Sequence, residues 1–126
     1  MNWILSILLF FIFTAPNSEK QNIEGIYYAH GKIESSELRI KSKNRFEYFY
    51  RLGGCQSTVY GNWELRGKKI ILVADDEFLK DLNKEYTPIY PRFKNFELKV
   101  KRKGLKPNQV IDTGCFQIKK LHRKIK

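Results

Sequence analysis

The stretch YGNWELRGKKIILVADDE, Tyr60 to Glu77, reads as two β-strands joined by a tight turn. Its first half alternates, so that Gly61, Trp63 and Leu65 share one face. Gly67 suits a turn that needs a positive φ. The second half, KIILVAD, is more continuously apolar, which indicates a strand covered on both faces. The stretch therefore predicts a β-hairpin with the indole of Trp63 directed into a core.

Strand-like alternation continues on both sides of this hairpin. The further segments predicted as strands are GIYYAH (25–30), SELRIKS (36–42), RFEYFYR (45–51), NFELKVKRKG (95–104) and QVIDTGCFQIKKL (109–121). Residues 75–86 change to helical spacing and predict one short helix, and residues 87–93 contain two prolines and predict an irregular or edge segment. A count of seven or eight strands predicts a mainly all-β fold, a small antiparallel up-and-down β-barrel.

The N-terminal segment Trp3 to Ala15, WILSILLFFIFTA, is an uncharged apolar run. A bilayer-spanning helix needs about 20 apolar residues, whereas the hydrophobic region of a signal peptide is shorter. We therefore expect a cleaved signal peptide over residues 1–18, a β-barrel domain over 23–121 and a basic C-terminal tail over 122–126. The expected location is secreted or periplasmic. An uncleaved segment that anchors the protein in a membrane is the alternative.

The chain contains two cysteines, Cys55 and Cys115. In an oxidising compartment, two cysteines most simply form one disulfide bond. Two unpaired buried thiols are the alternative. Neither cysteine belongs to a Cys-x-x-Cys pair, so the sequence does not indicate a zinc site or a thioredoxin-like motif.

The net charge of +11 is concentrated in the last third of the chain. Residues 92–126 contain twelve Lys or Arg and two acids. Such a surface could bind a polyanion or anionic lipid, or it could be a solvated face without a ligand. The candidate anion-binding residues are Lys99, Lys101, Arg102, Lys103, Lys119, Lys120, Arg123 and Lys124.

Signatures of catalysis and metal binding are absent from the sequence. The acids of residues 75–85 lack the Asp-x-Asp-x-Asp-Gly spacing of a calcium loop, and helix capping explains them. His30 ends a predicted strand, and His122 lies in the basic tail. No Gly-x-Ser-x-Gly, phosphate-loop or dinucleotide fingerprint occurs. We therefore expect a non-catalytic protein with no metal and no cofactor, and a hydrolase with an unrecognised site is the alternative. We also expect a monomer without specific recognition of nucleic acid.

Aromatic side chains are dense between residues 27 and 63. They either fill the core of a small domain or line a pocket for a small apolar or sugar-like ligand. The pocket candidates are Tyr27, Phe46, Tyr48, Tyr50 and Trp63.

Three segments together resemble the small secreted bacterial proteins with a lipocalin-like, calycin-type barrel. These are GIY in the first strand, LRIKSKNRFEYFY in the next two, and GNWELRGKKIIL in the hairpin, so the resemblance covers residues 23–73. It implies an up-and-down barrel whose core holds a ligand in some members and not in others. The function it implies is an exported, non-catalytic binding or scaffolding protein for a small apolar ligand or a protein partner. Binding of a polyanion or an anionic membrane surface through the basic C-terminal third is the alternative.

Overall fold

The computed structural model describes residues 22–79 and 91–126. These segments include a short helix, α1 (Asp76–Leu79). The strands are β1 (Gly25–His30), β2 (Ser35–Ile40), β3 (Arg45–Leu52), β4 (Cys55–Arg66), β5 (Lys69–Ala74), β6 (Phe96–Lys101), β7 (Gly104–Pro107), β8 (Ile111–Asp112), β9 (Gln117–Ile118) and β10 (His122–Lys124). The expected signal peptide and the predicted helical residues after Leu79 lie outside the described residues. In the two described segments, no helix has the length and hydropathy needed to cross a bilayer.

Eight of the strands form a closed antiparallel barrel. Strands β1 to β6 each pair with the next strand in the chain, and β10 lies between β7 and β1 and closes the ring. Strands β8 and β9 pair with each other as a separate two-stranded sheet. The predicted up-and-down β-barrel with one short helix is confirmed.

The C-terminal residues are the closing strand of the barrel, so the prediction of a basic tail over residues 122–126 was wrong. Lys124 pairs with Tyr27 of β1, and His122 pairs with Leu105 of β7. The amide of Ile125 also donates to the carbonyl of Ile26 at 2.8 Å. Without β10, strands β1 and β7 would each present an unpaired edge, which is a costly arrangement for a small barrel. The barrel domain therefore extends beyond its expected end at residue 121.

The hairpin predicted from the sequence is formed by β4 and β5. Gly67 has a φ of 60°, as the tight turn requires. Trp63 lies opposite Leu72 and is 2% exposed. Its Nε1 donates a hydrogen bond of 2.8 Å to the carbonyl of Lys41 in the turn before β3. The indole is therefore a core residue whose single polar atom has a partner.

Several aromatic rings pack against one another in the barrel interior. Phe93 comes from the irregular segment before β6, yet it is 1% exposed. Its ring makes an edge-to-face contact with Tyr48, with centroids 5.1 Å apart, and further edge contacts with Phe46 and Phe96. Such contacts contribute beyond the burial of area alone. The proline-containing segment thus supplies a central core residue.

The two cysteines form the predicted disulfide bond. Cys55 begins β4, and Cys115 lies in the turn between β8 and β9, with the two Cα atoms 6.5 Å apart. The bond ties the β8–β9 hairpin to the barrel at the end opposite the β4–β5 turn.

Candidate functional site

Three turns of the barrel meet at one end and carry almost only positive charge. In an up-and-down barrel, alternate turns lie at the same end, which places turns 41–44, 66–69 and 101–104 together. These turns read KSKN, RGKK and KRKG, so each has two or three bases and no acid. Asn22, just before β1, and Lys124, at the end of β10, lie at the same end. We call this the basic end of the barrel.

Backbone hydrogen bonds hold parts of the basic end against one another. The amide of Val100 donates to the carbonyl of Lys68 at 2.8 Å, which joins turn 66–69 to β6. The amide of Lys124 donates to the carbonyl of Lys103 at 3.1 Å, which joins β10 to turn 101–104. The cationic side chains at this end therefore project from a fixed backbone.

A cavity of about 320 Å³ opens at the basic end. Its apolar lining residues are Ile23, Tyr27, Leu65, Val100 and Leu105. Its charged lining residues are Lys68, Lys101, Arg102 and Lys124. We call these four bases the cavity rim. Every charged side chain that lines the cavity is a cation.

Within the part of the chain that the structure describes, no ion pair offsets the positive charge of the cavity rim. Three other bases at this end have acidic partners, in the pairs Lys41–Glu47, Arg66–Glu64 and Lys69–Glu97 at 2.7, 3.1 and 3.6 Å. Among residues 22–79 and 91–126, no salt bridge includes a base of the cavity rim. All four rim side chains are exposed. The rim therefore presents a local field that favours an anion.

The structure separates the predicted anion-binding residues into three groups. Those at the basic end are Lys101, Arg102, Lys103 and Lys124. Those on the outer wall of the barrel are Lys99 and Arg123, which are exposed on β6 and β10. Those near the opposite end are Lys119 and Lys120, and the Nζ of Lys120 donates to the carbonyl of His30 at 3.1 Å.

Sequence reasoning missed the five bases of turns 41–44 and 66–69 at the basic end, among them Lys43 and Lys68. They lie outside the basic C-terminal third, so a count of charge along the chain does not select them. The available signal was the composition of alternate turns. Once an up-and-down barrel is predicted, every second turn must lie at one end, and three such turns are rich in bases and free of acids.

The predicted pocket residues have two different environments. Phe46, Tyr48, Tyr50 and Trp63 are at most 2% exposed and pack within the core. Tyr27 lines the cavity at the basic end. Its hydroxyl donates a 2.5 Å hydrogen bond to the carbonyl of Ile23, and burial raises the pKa of Tyr27 to about 12. Tyr27 is therefore neutral at physiological pH, and its ring forms part of an apolar floor.

A second polar feature, a buried chain of three side chains, lies inside the barrel. The Oγ of Ser36 is 2.5 Å from the hydroxyl of Tyr48 and 2.7 Å from the Nε2 of His122. The Nδ1 of His122 is 3.0 Å from the carbonyl of Lys120. Ser36, Tyr48 and His122 are at most 1% exposed.

The protonation of this chain follows from its partners. A carbonyl only accepts hydrogen bonds, so Nδ1 of His122 carries the proton. Burial, together with the nearby positive charge of Lys106, lowers the pKa of His122 to about 4. In the neutral imidazole Nε2 then accepts from the hydroxyl of Ser36, which leaves Ser36 to accept from the hydroxyl of Tyr48. Because the serine and the imidazole are closed off from solvent, the chain links strands rather than presenting a nucleophile to a substrate.

The acids after β5 make a side-chain ion pair and begin a helix. Asp75 accepts two hydrogen bonds from Arg45, at 2.9 and 2.8 Å, and this guanidinium holds the pKa of Asp75 below its usual value. Asp76 and Glu77 occupy the first turn of α1. Within the two described segments, no three His, Cys, Asp or Glu side chains group as metal ligands. Asp81 and Glu85 lie outside those segments.

Comparison of the chain with protein-family models, with curated proteins and with solved structures found no match. The closed eight-stranded antiparallel barrel is compatible with a calycin-like fold.

Proposed function

We propose that the protein is an exported, non-catalytic barrel that binds anionic ligands through its basic end. The observation that carries this proposal is the composition of turns 41–44, 66–69 and 101–104. Each contributes bases and no acid. Turns 66–69 and 101–104, together with Lys124, line a cavity whose charged lining is entirely cationic. Among the described residues, the bases of the cavity rim form no salt bridge, and this grouping of cations around one opening supports a binding role.

Electrostatics make this end suitable for anions. Cations separated by less than the Debye length, about 8 Å at physiological salt, reinforce one another. The apolar floor of the cavity, formed by Tyr27 and Leu105 among others, lowers the local dielectric and strengthens the attraction. Binding of this kind weakens steeply as salt rises because bound counterions are released.

The disulfide bond supports export. Structural disulfides persist in secreted and periplasmic proteins and are rare in reducing compartments. A lipocalin-like barrel within the calycin group is consistent with the closed eight-stranded order, and it is the family that we propose. On this proposal, residues 1–18 are a signal peptide.

The position of Asn22 favours a second candidate, binding to an anionic membrane surface. The described chain begins at the basic end, because Asn22 lines the cavity there. If the apolar segment Trp3 to Ala15 were retained in a bilayer, the basic end would be the part of the barrel nearest the headgroups. Mass spectrometry of the naturally produced protein distinguishes the candidates: a start between residues 16 and 21 supports export, and an intact Met1 on a membrane-bound protein supports anchoring.

Salt-dependent retention on immobilised heparin tests the proposed function. The double variant Lys101→Gln/Arg102→Gln removes two charges from the cavity rim, and Lys119→Gln/Lys120→Gln removes two from near the opposite end. We expect the first variant to elute at clearly lower salt than the wild type and the second to elute close to it. Equal shifts in the two variants would mean that retention follows net charge alone, and the proposal would fail.

A further inference from the structure

We propose that the cavity at the basic end holds the apolar part of a small amphiphilic anion, a single short alkyl or aryl group that ends in a phosphate or carboxylate. This inference rests on the proposed function and names the ligand class for that site. It depends on three features of the cavity: an apolar floor, a cationic rim and a small volume.

The floor of the cavity is apolar because its polar atoms already have partners. The hydroxyl of Tyr27 donates to the carbonyl of Ile23, so the tyrosine contributes only its ring. Leu105 is 1% exposed, and Leu65 and Val100 are half-buried against the core. A ligand group in contact with this floor gains by removing apolar surface from water, at about 25 cal/mol per Å².

The rim of the cavity is cationic and partly fixed in place. The Nζ of Lys124 donates to the carbonyl of Asn22 and lies 5.9 Å from the centre of the Tyr27 ring. An ammonium has three donors, so Lys124 retains donors for an anion. Arg102 offers the planar guanidinium that binds phosphate or carboxylate through two parallel hydrogen bonds.

Neither half of the site is complete without the other. An inorganic anion would use the cations of the rim and leave the apolar floor wet. A purely apolar ligand would fill the cavity and gain nothing from the four cations of the cavity rim. A ligand with both parts satisfies both surfaces, and pockets of this kind combine apolar walls with a few oriented polar groups.

The volume limits the ligand to one short chain. A cavity of about 320 Å³ lies at the lower limit of small-molecule sites, which span roughly 300–1,000 Å³. Below the cavity the barrel interior is occupied by the packed core, in which Leu38, Tyr48 and Phe93 are each at most 1% exposed. The apolar group is therefore accommodated at the mouth of the barrel and does not extend along its axis.

Calorimetric titration of the purified, oxidised protein with three probes tests the ligand class. Octyl phosphate carries both parts of the proposed ligand, inorganic phosphate carries only the anion, and octanol carries only the chain. We expect octyl phosphate to bind at least tenfold more tightly than either of the other two. Octanoate replaces the phosphate with a carboxylate and should bind in the same site. Affinity for octyl phosphate equal to that for inorganic phosphate would overturn the inference.

Two matched leucine variants test where the alkyl chain of octyl phosphate binds. Leu65→Gln places a polar group in the cavity wall, and Leu52→Gln makes the same change at a half-buried position at the opposite end of the barrel. We expect at least a tenfold loss of octyl phosphate affinity in the first variant and little change in the second. Val100→Gln serves if Leu65→Gln does not fold. If the wild type and a folded cavity-wall variant bound octyl phosphate with equal affinity, the cavity would not be the binding site of the alkyl chain.

The same variants separate this inference from the proposed function. Leu65→Gln leaves the cations of the cavity rim in place, so it should weaken the binding of octyl phosphate far more than the retention on heparin. If the Lys101→Gln/Arg102→Gln variant loses heparin retention while octyl phosphate never binds the wild type, the proposed function stands and the inference fails. The last measurement is binding of the protein to phosphatidylcholine vesicles that contain phosphatidic acid. Binding to these vesicles without binding to octyl phosphate would indicate a lipid surface as the partner and would overturn the cavity site.

Discussion

The Nε2 of His122 lies 2.7 Å from the Oγ of Ser36, although the two residues are 86 positions apart in the chain. Ser36 belongs to β2 and His122 to β10, and these strands lie on either side of β1 in the closed ring. The hydrogen bond therefore spans the point at which the barrel closes. A polar bond at this position is fully enclosed, so its loss would leave buried groups without partners, which costs about 1–3 kcal/mol for each.

The stability of the protein should depend on pH through His122. Its pKa is about 4 in the folded state and about 6.5 when unfolded, so the unfolded chain binds more protons between these values. The contribution of His122 is therefore fully present above pH 6.5 and is lost as the pH falls toward 4. The total loss is about 3 kcal/mol, at 1.36 kcal/mol for each pKa unit. Urea denaturation at a series of pH values from 7 to 4.5 measures it.

The variant His122→Gln is the control for this pH dependence. Gln has no titration in this range but keeps polar atoms near Ser36. We expect it to be less stable than the wild type at pH 7 and to lose most of the slope between pH 6.5 and 4.5. A slope that persists unchanged in the variant would assign the effect to other groups.

The replacement Trp63→Ala should cost roughly 3–5 kcal/mol of folding free energy. The side chain is 2% exposed, lies opposite Leu72, and donates to the carbonyl of Lys41. Losing it would open a large cavity inside the barrel and would remove the indole donor from that carbonyl. The cost is comparable to much of the stability of a small domain, so the variant should unfold at a far lower urea concentration.

Phe49→Ala is the matched aromatic truncation on the other face of the sheet. Phe49 lies opposite Thr58 and is only half-buried. We expect it to cost well under half as much as Trp63→Ala in the same urea experiment. If the Phe49 variant collapsed while the Trp63 variant kept its midpoint, the assignment of inner and outer faces would be reversed.

Local pattern was enough to predict most of the barrel. Alternation placed Phe46, Tyr48 and Trp63 on inward faces, and the turn residues Asn44 and Gly67 adopt the positive φ values that their types favour, both near 60°. These features are set by residues that are close in the sequence. Side chains of a strand alternate between its two faces, and turn residues have their own backbone preferences.

The features that the sequence did not predict depend on closure of the ring. His122 lies within a run of bases, and only its pairing with β7 sends it inward. Phe93 reaches the core from a segment without regular structure. The cavity rim combines Lys68 with Lys124, which are far apart in the sequence and are brought together by the order of the strands in the barrel. Contacts between residues that are distant in the sequence do not produce a periodic pattern from which they could be predicted.

Reduction of the Cys55–Cys115 bond should destabilise the protein without changing the ligand site. The cysteines are 60 positions apart, and a loop of this length corresponds to about 4 kcal/mol in the chain-entropy model. The variant Cys55→Ser/Cys115→Ser should unfold at lower temperature than the oxidised protein and resemble the reduced wild type. Because the bond lies at the opposite end from the cavity rim, the folded variant should keep its heparin retention. Equal melting temperatures with and without reductant would contradict the stabilising role.

Gly61→Ala should destabilise the barrel because the backbone of β5 approaches β4 closely at this position. A methyl group on Gly61 would lie 2.1 Å from the carbonyl oxygen of Val73 and 2.6 Å from the Cα of Ala74. Both atoms belong to backbone, so a side-chain rotation cannot relieve the clash, and β4 and β5 would have to separate. Forced packing of this kind typically costs 1–3 kcal/mol.

Gly54→Ala is the control, since a methyl group there meets nothing within 4 Å and its φ is not positive. We expect that variant to match the wild type or to gain slightly through a stiffer unfolded chain. Urea midpoints decide the question, and a Gly61→Ala variant as stable as Gly54→Ala would show that β4 and β5 do not approach as closely as their register requires.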